Sequence, residues 1–468
     1  MPSHDTTKGP GSSDVPIHIG PGVADPLGND AWLGVTLSGG LVHNSALNML
    51  DLCELSSSRN CGEALKFLRR CNAELIKSYE PHPIPFSSDA SKPLLDISRP
   101  QQRGDLVYIP QIRGGVAIIV SDIEGDANLV HEICKRERII ERLSQNKVDE
   151  QVFFISLGDA IDRQGYRASD ALEFLLNLKF EYGFRDNIHI LAGNHELSPE
   201  IQLLPHHGGF FREVVDYRSS YSIPGEIPPE LQEEAVAWFE TLFLSKLPST
   251  AAPYRVALWR EFNNLFSYSP KTVVTANGLV LCHGGPSDSG AFSFLREPNE
   301  WPRPTFEEAI TWLTNIPFDI ERYTEEEREH LAGMHHATVE DITWSDWRGH
   351  VIETEPNMSR RISADGELLP LGIYYGPAAL ERYLSVLGAR VMIRGHQKMP
   401  PDGATNHSPN VWSVGDSLLT INSNVPSSAW VKRDNGACGG IIENKRSYLE
   451  VDLGKPIRGI EDIKIHEL

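Results

Sequence analysis

Five short apolar runs, each ending in residues able to bind a metal or carry a proton, constrain this chain more than any other feature. They read "VAIIVSDIEGD" from Val116, "VFFISLGD" from Val152, "IHILAGNHE" from Ile188, "GLVLCHGG" from Gly278 and "RVMIRGHQ" from Arg390. Runs this short and this continuously apolar fit strands buried on both faces better than helices. The intervening segments predict helices over about 127–145 and 168–178. Two further runs, "SLLTINS" and "GGIIEN", extend the strand series. The pattern implies an α/β sandwich with its site at the strand ends.

The strand ends deliver a coherent set of polar groups: Asp122 and Glu124, then Asp159, Asp162 and Arg163 in "GDAIDR", then Asn194, His195 and Glu196 in "GNHE", then His283 and His396. Taken singly, a histidine after an apolar run is more often a core or loop residue. Together, carboxylate, amide and imidazole donors suit divalent Mn, Fe or Zn. Two such ions about 3.5–4 Å apart can clamp a phosphoryl group for in-line attack.

The order "SDIEGD", "GDAIDR", "GNHE", "HGG", "GHQ" resembles the calcineurin-like metallophosphoesterases, whose pattern is D-x-H, G-D-x-x-D-R, G-N-H-E, H and G-H-x. "LCHGGPSD", "ITWSDW", "IRGHQ" and "LLTINSNVP" with "NGACGGIIE" behind it are similar to segments of the phosphoprotein phosphatase family, and the likeness spans about 110–445. The resemblance implies a central mixed β-sandwich flanked by helices, with helical insertions at about 197–260 and 290–390. It also implies that Asp122 and Glu124 bind a first metal, that Asp159 bridges, and that Asn194, His283 and His396 bind the second. His195 stands where the family keeps a general acid, oriented by Asp162, and Arg163 where it clamps phosphate oxygens. A structural ion pair is the rival reading of Asp162 and Arg163. The implied reaction is hydrolysis of a phosphorylated Ser/Thr or Tyr side chain by a hydroxide held between two metals, with a phosphoprotein or phosphopeptide as substrate.

The chain departs from the family at several points. Glu124 replaces a histidine; a carboxylate there hardens the first site and favours Mn or Mg over Fe or Zn. Ala192 stands where an arginine precedes G-N-H-E, and "SNVPSSAW" lacks the family's tyrosine. The second phosphate-binding arginine has three candidates, Arg348, Arg360 and Arg361. Two alternatives stay open: a small-molecule phosphoesterase or dinucleoside polyphosphate hydrolase of the same fold, and an inactive phosphoprotein-binding pseudophosphatase.

Against 43 Lys and Arg stand 64 Asp and Glu, a net charge of −21, which disfavours nucleic acid and anionic membrane surfaces as general partners. No apolar stretch approaches a membrane span, and the N-terminus lacks a general secretory pattern. The expected location is cytoplasmic or otherwise intracellular, with delivery by a specialised route left open. Six scattered cysteines without C-x-x-C spacing read as reduced thiols. Residues 1–30 read as a loose tail, and 31–110 as a helical extension and connector offering a surface for a protein partner. The catalytic domain is expected over 111–450, with a tail over 451–468. His206–His207 and His335–His336 read as surface histidines.

Overall fold

The computed structural model describes residues 60–79, 98–145, 151–161, 169–199, 202, 209–215, 227–243, 246, 252–314, 324–358, 361–362, 368–397, 400–408, 410–423 and 446–468. All belong to one compact unit, which begins at Leu47. The expected tail over 1–30, Cys53, Cys438, His206–His207 and the run "GGIIEN" lie outside the described residues.

Two mixed sheets form the centre. In the five-stranded sheet the order is Ile463–Glu467, Ser447–Asp452, Val116–Val120, Val152–Ser156 and Ile188–Ile190, the last three parallel. The eight-stranded sheet runs Gln101–Arg103, Leu106–Ile109, Thr272–Thr275, Leu279–Cys282, Val391–Arg394, Leu418–Ile421, Val411–Val414 and Thr405–Ser408. Within it Leu279–Cys282, Val391–Arg394 and Leu418–Ile421 are parallel neighbours.

Side-chain alternation explains why these strands read as unbroken apolar runs. Ala117, Ile119, Phe153 and Ile155 meet Leu279, Leu281, Val391, Ile393 and Leu419 in one core between the sheets. The alternate residues Ile118, Val120 and Phe154 face helices on one outside, while Val280, Cys282, Met392 and Leu418 face helices on the other. Each strand is therefore dry on both faces, and the expected helix-flanked sandwich is the architecture found.

Described elements of the compact unit also lie outside 111–450. Helix Cys61–Ile76, capped by the reciprocal pair Asn60 and Glu63, buries Leu65, Leu68 and Leu75 in the outer core. Its buried Asn72 donates to the Glu261 side chain (2.9 Å) on helix Pro253–Tyr268. Gln101–Arg103 and Leu106–Ile109 are sheet strands, as is Ile463–Glu467. Each gives only a short signal: Gln101–Arg103 is polar throughout, Leu106–Ile109 is an apolar run of four residues, and Ile463–Glu467 alternates over five.

The helix expected over 127–145 is two helices, Ala127–Arg136 and Ile139–Gln145, broken at Arg138, which adopts φ 52°. That over 168–178 is Asp170–Leu176, followed by a wide turn in which Tyr182 N–H reaches back to Asn177 (3.1 Å). The expected insertions contain helices Gly209–Val215, Pro229–Phe243 and Pro253–Tyr268, then Phe306–Leu313 and Glu325–Trp344. Trp259 on the third of these donates to Gln202 (2.6 Å), whose amide in turn donates to the His195 carbonyl (3.0 Å). The first insertion thus braces a candidate site residue. Cys61, Cys71, Cys134 and Cys282 are buried.

Candidate metal centre

The strand ends are level. Val120 pairs with Ser156 and Ser156 with Ile190, while Arg394 pairs with both Cys282 and Thr420. Whatever follows those residues must emerge at one edge of the sandwich. The backbone pairing continues past the strands: Asp122 N–H donates to Gly158 O (3.1 Å), Glu124 N–H to Asp159 O (2.9 Å), and Gly395 N–H to His283 O (3.0 Å). Ser423 N–H donates to Ser121 O (2.8 Å), lacing the two sheets together at the site.

Five described non-glycine residues have positive φ, and four are site residues: Asp122 (48°), Glu124 (52°), Asp159 (51°) and His396 (65°). Left-handed backbone is unfavourable for such side chains and persists where the surroundings over-determine it. Here the cross-loop hydrogen bonds do so, turning each side chain inward. Gly395 shows how tight the mouth is. A Cβ there would overlap Ser121 Oγ and Asp122 Oδ2 across the sheet junction.

Asp122, Asp159 and His283 present ligand atoms within 4.8 Å of one another, all buried. Asn194 Oδ1 lies 2.9 Å from both His283 Nε2 and His396 Nδ1, and His283 Nε2 lies 3.3 Å from Asp159 Oδ1. The other nitrogen of His283 faces the Leu157 carbonyl (3.0 Å), which fixes the ring. His195 Nε2 is 3.7 Å from Asp159 Oδ2, and its backbone N–H donates to Asp159 Oδ1 (3.1 Å). Glu124 is 1 % exposed but is not part of the 4.8 Å group.

These residues fit a cation. Asp122 Oδ2 accepts from Ser121 Oγ (2.8 Å) and His396 N–H (3.0 Å), but its buried Oδ1 accepts no hydrogen bond from any described residue. An unsatisfied buried carboxylate oxygen is costly unless a positive charge meets it. The donor set is oxygen with imidazole, as divalent first-row metals prefer.

Electrostatics point the same way. Burial, then the charge of Asp159, pushes Glu196 up to about 7, even though it accepts the backbone N–H of Gly193. Burial alone would lower His283, yet the carboxylates of Asp159, Asp122 and Glu196 outweigh it and hold the ring at about 8. Both shifts are signatures of excess negative charge in a dry place.

Of the remaining expected residues, Asp162, Arg163 and Arg360 lie outside the described residues, as does the side chain of Arg361. Arg348 is half-buried with its guanidinium 5.0 Å from the Tyr374 ring centre. Asp126 caps helix Ala127–Arg136 by accepting Leu129 N–H (3.2 Å) and pairs with Arg446 (2.6 Å). His335 is stacked on Trp312, and His336 is paired with Glu340 on the helix surface.

Two residues that order the site are given no role by the sequence reading. Glu196 accepts four backbone N–H groups, from Gly193, Asp159, Ala160 and Ile161 (2.8–3.1 Å), and so shapes the loop that presents Asp159. Arg394 is fully buried one residue before Gly395. A usable signal existed for the second: an arginine inside an otherwise apolar strand must find partners there.

The sequence model of the calcineurin-like phosphoesterases matches residues 117–400, more than half of the chain. Among solved structures, a protein serine/threonine phosphatase from Saccharomyces cerevisiae with similarity to human phosphatase PP5 superposes with a TM-score of 0.43 at 15% identity, covering 86% of this chain and 89% of that one. A cold-active protein-tyrosine phosphatase of a psychrophilic Shewanella species gives a TM-score of 0.34 at 16% identity, with 81% and 86% covered. No described helix is long and apolar enough to cross a membrane. The strand-end ligands and the family match over 117–400 make this chain a member of the calcineurin-like phosphoesterase family, a metal-dependent phosphoesterase.

Proposed function

We propose that the protein is a two-metal phosphomonoesterase of the phosphoprotein phosphatase type, acting on phosphorylated protein side chains. The observation that carries this reading is the joining of two groups of potential ligands. Asp122 and Asp159 come within 4.8 Å of His283, Asp159 Oδ1 at 3.3 Å from its Nε2, and His283 in turn shares Asn194 Oδ1 with His396 at 2.9 Å. Asp122, Asp159 and Glu124 would hold the first ion, and Asp159, Asn194, His283 and His396 the second. The ions supply Lewis acidity toward a phosphoryl group and make water a better nucleophile at neutral pH.

The protein's own groups do the rest. Asp159 and Asn194 fix the spacing of the two ligand sets. His195, buried against Asp159, holds a proton for the departing alkoxide, with Asp162 as its orienting carboxylate on the motif alone. Arg163 binds the phosphate oxygens, and Arg348 is the favoured second clamp, because Trp347 N–H bonds to Gln397 beside His396 (3.3 Å). Water and a phosphomonoester go to an alcohol and inorganic phosphate. Glu124 makes Mn the favoured metal by adding a hard anionic donor. A protein substrate is supported by the open segment after Trp347, which exposes Ile352 and Met358.

The test is a comparison of kcat/KM for phosphoserine, phosphothreonine and phosphotyrosine peptides with that for diadenosine tetraphosphate, in Mn buffer. A phosphopeptide preferred by tenfold or more is the expected result. Preference for the dinucleotide would overturn the protein-phosphatase reading.

A further inference from the structure

Arg394 has no described carboxylate within ion-pair distance, although it is completely buried. Its guanidinium is spent instead on neutral oxygens from three separate loops. Nη1 donates to the Gly284 carbonyl (2.6 Å), next to His283, and to the Ser345 carbonyl (2.8 Å), next to Asp346. Nη2 donates to the side chain of Gln397, next to His396. Nε reaches Thr420 Oγ1 (3.4 Å) on the neighbouring strand, and the Tyr375 hydroxyl stands 3.3 Å from Nη1. Asp346 in turn faces the outer nitrogen of His396, with Oδ1 3.9 Å from Nε2, and is held by Asn357 Nδ2 (3.3 Å).

We propose that Arg394 is a positioning residue that sets the geometry of the second metal's ligands by tying the His283, Asp346 and His396 loops to one rigid side chain. The inference rests on the two-metal reading above. A planar fork of five N–H donors can satisfy acceptors in several directions at once, and no other side chain can. A lysine would keep the charge but offers three donors on a flexible stem, so it cannot hold all three loops. A buried cation bonded only to neutral acceptors is costly, and its retention at this point is explained by what the tied loops carry. Asp122, Glu124 and Asp159 follow strands of the other sheet, and Asp122 meets the tied loops through His396 N–H (3.0 Å), so the first ligand set should feel the loss of Arg394 less than the second does.

The test is Mn binding by titration calorimetry to metal-stripped, full-length wild type, Arg394→Lys and Gln397→Met, with thermal unfolding recorded in parallel. Wild type should bind two ions. Arg394→Lys should weaken one of them by roughly 10–100-fold and the other by clearly less, as expected for loss of an outer-shell partner. Gln397→Met, which cuts a single arm and keeps the arginine, should weaken the same ion by less, and it keeps the proposal testable if the lysine variant does not fold. Saturating Mn should restore kcat in either variant with KM for para-nitrophenyl phosphate unchanged, which a general loss of structure would not allow. Two ions bound by the variants as tightly as by wild type, or both weakened alike, would overturn the role of Arg394. A wild type that binds one ion would overturn the two-metal reading itself.

Discussion

The mouth of the sheet built on Val116–Val120 and the mouth of the sheet built on Val391–Arg394 meet at one edge, yet they hold their side chains in place by different means. The first supplies acids: Asp122, Glu124, Asp159 and Glu196, all buried. Its order comes from backbone N–H groups, four of them on Glu196, and from left-handed turns at Asp122, Glu124 and Asp159. The second supplies imidazoles, His283 and His396, fixed by carbonyls, a buried guanidinium and the amide of Asn194. The acid mouth carries more negative charge than its protein partners neutralise, as the raised Glu196 and the unsatisfied Asp122 Oδ1 show. The imidazole mouth is held largely by protein partners. The difference teaches where bound metal would do structural work: it would complete the first mouth and join it to the second.

The largest expected effect comes from the turn that bridges the two mouths. His195→Ala should lower kcat by about 10²–10⁴-fold, the usual worth of a general acid, while two Mn ions still bind. Loss of metal together with activity would mean that His195 organises the acid mouth instead of serving the leaving group.

Gly395→Ala probes the contact between the mouths. The new methyl would overlap Ser121 Oγ and Asp122 Oδ2, and overpacking of this kind costs about 1–3 kcal/mol. Chemical denaturation should show that loss together with weakened metal binding. A variant as stable and as metal-tight as wild type would show that the mouths are not in tight register.

Asp341 gives the most conditional effect, read only as a pH dependence of stability. It lies beneath the loop that follows His283, accepting from Ser287 Oγ (2.8 Å), Asp288 N–H (3.2 Å) and Ser289 Oγ (3.2 Å). Burial, then the charge of Asp288, pushes it up to about 8. Thr354 Oγ1 donates to Asp288 (2.6 Å), and Arg296 stands 4.0 Å away. A carboxyl raised on folding favours the fold below its unfolded pKa, and that contribution is lost as pH rises through the folded value. Asp341 should therefore erode stability between about pH 4 and 8, by at most about 1.4 kcal/mol per pH unit. Asp341→Asn should flatten the stability profile over that window when measured against wild type. Parallel profiles would remove the protonated acid from the account.

The two mouths also differ in how far they could be read from the amino-acid order. Every strand end named from the runs beginning at Val116, Val152, Ile188, Gly278 and Arg390 lies where expected, because strands buried on both faces are long enough in apolar residues to stand out. Asp122, Asp159, Asn194, His283 and His396 converge for that reason. The supports of these side chains were less legible. Glu196 stood in view within "GNHE", but nothing in the sequence says that its partners are backbone groups of the 159–161 loop. Arg394 works through carbonyls, which carry no sequence signature. The break at Arg138 and the sheet strand Ile463–Glu467 were missed because tertiary packing overrides weak local periodicity at both places.

The most direct test of the central claim is phosphate release from para-nitrophenyl phosphate by metal-stripped protein, reconstituted in parallel with Mn, Mg, Ca, Ni and Zn, with Asp159→Asn alongside. Strong turnover with Mn or Mg that falls at least about 10³-fold in Asp159→Asn is the predicted result, since in the proposed two-metal reading that carboxylate would serve both ligand sets. Silence with every metal, or turnover that survives Asp159→Asn, would contradict it.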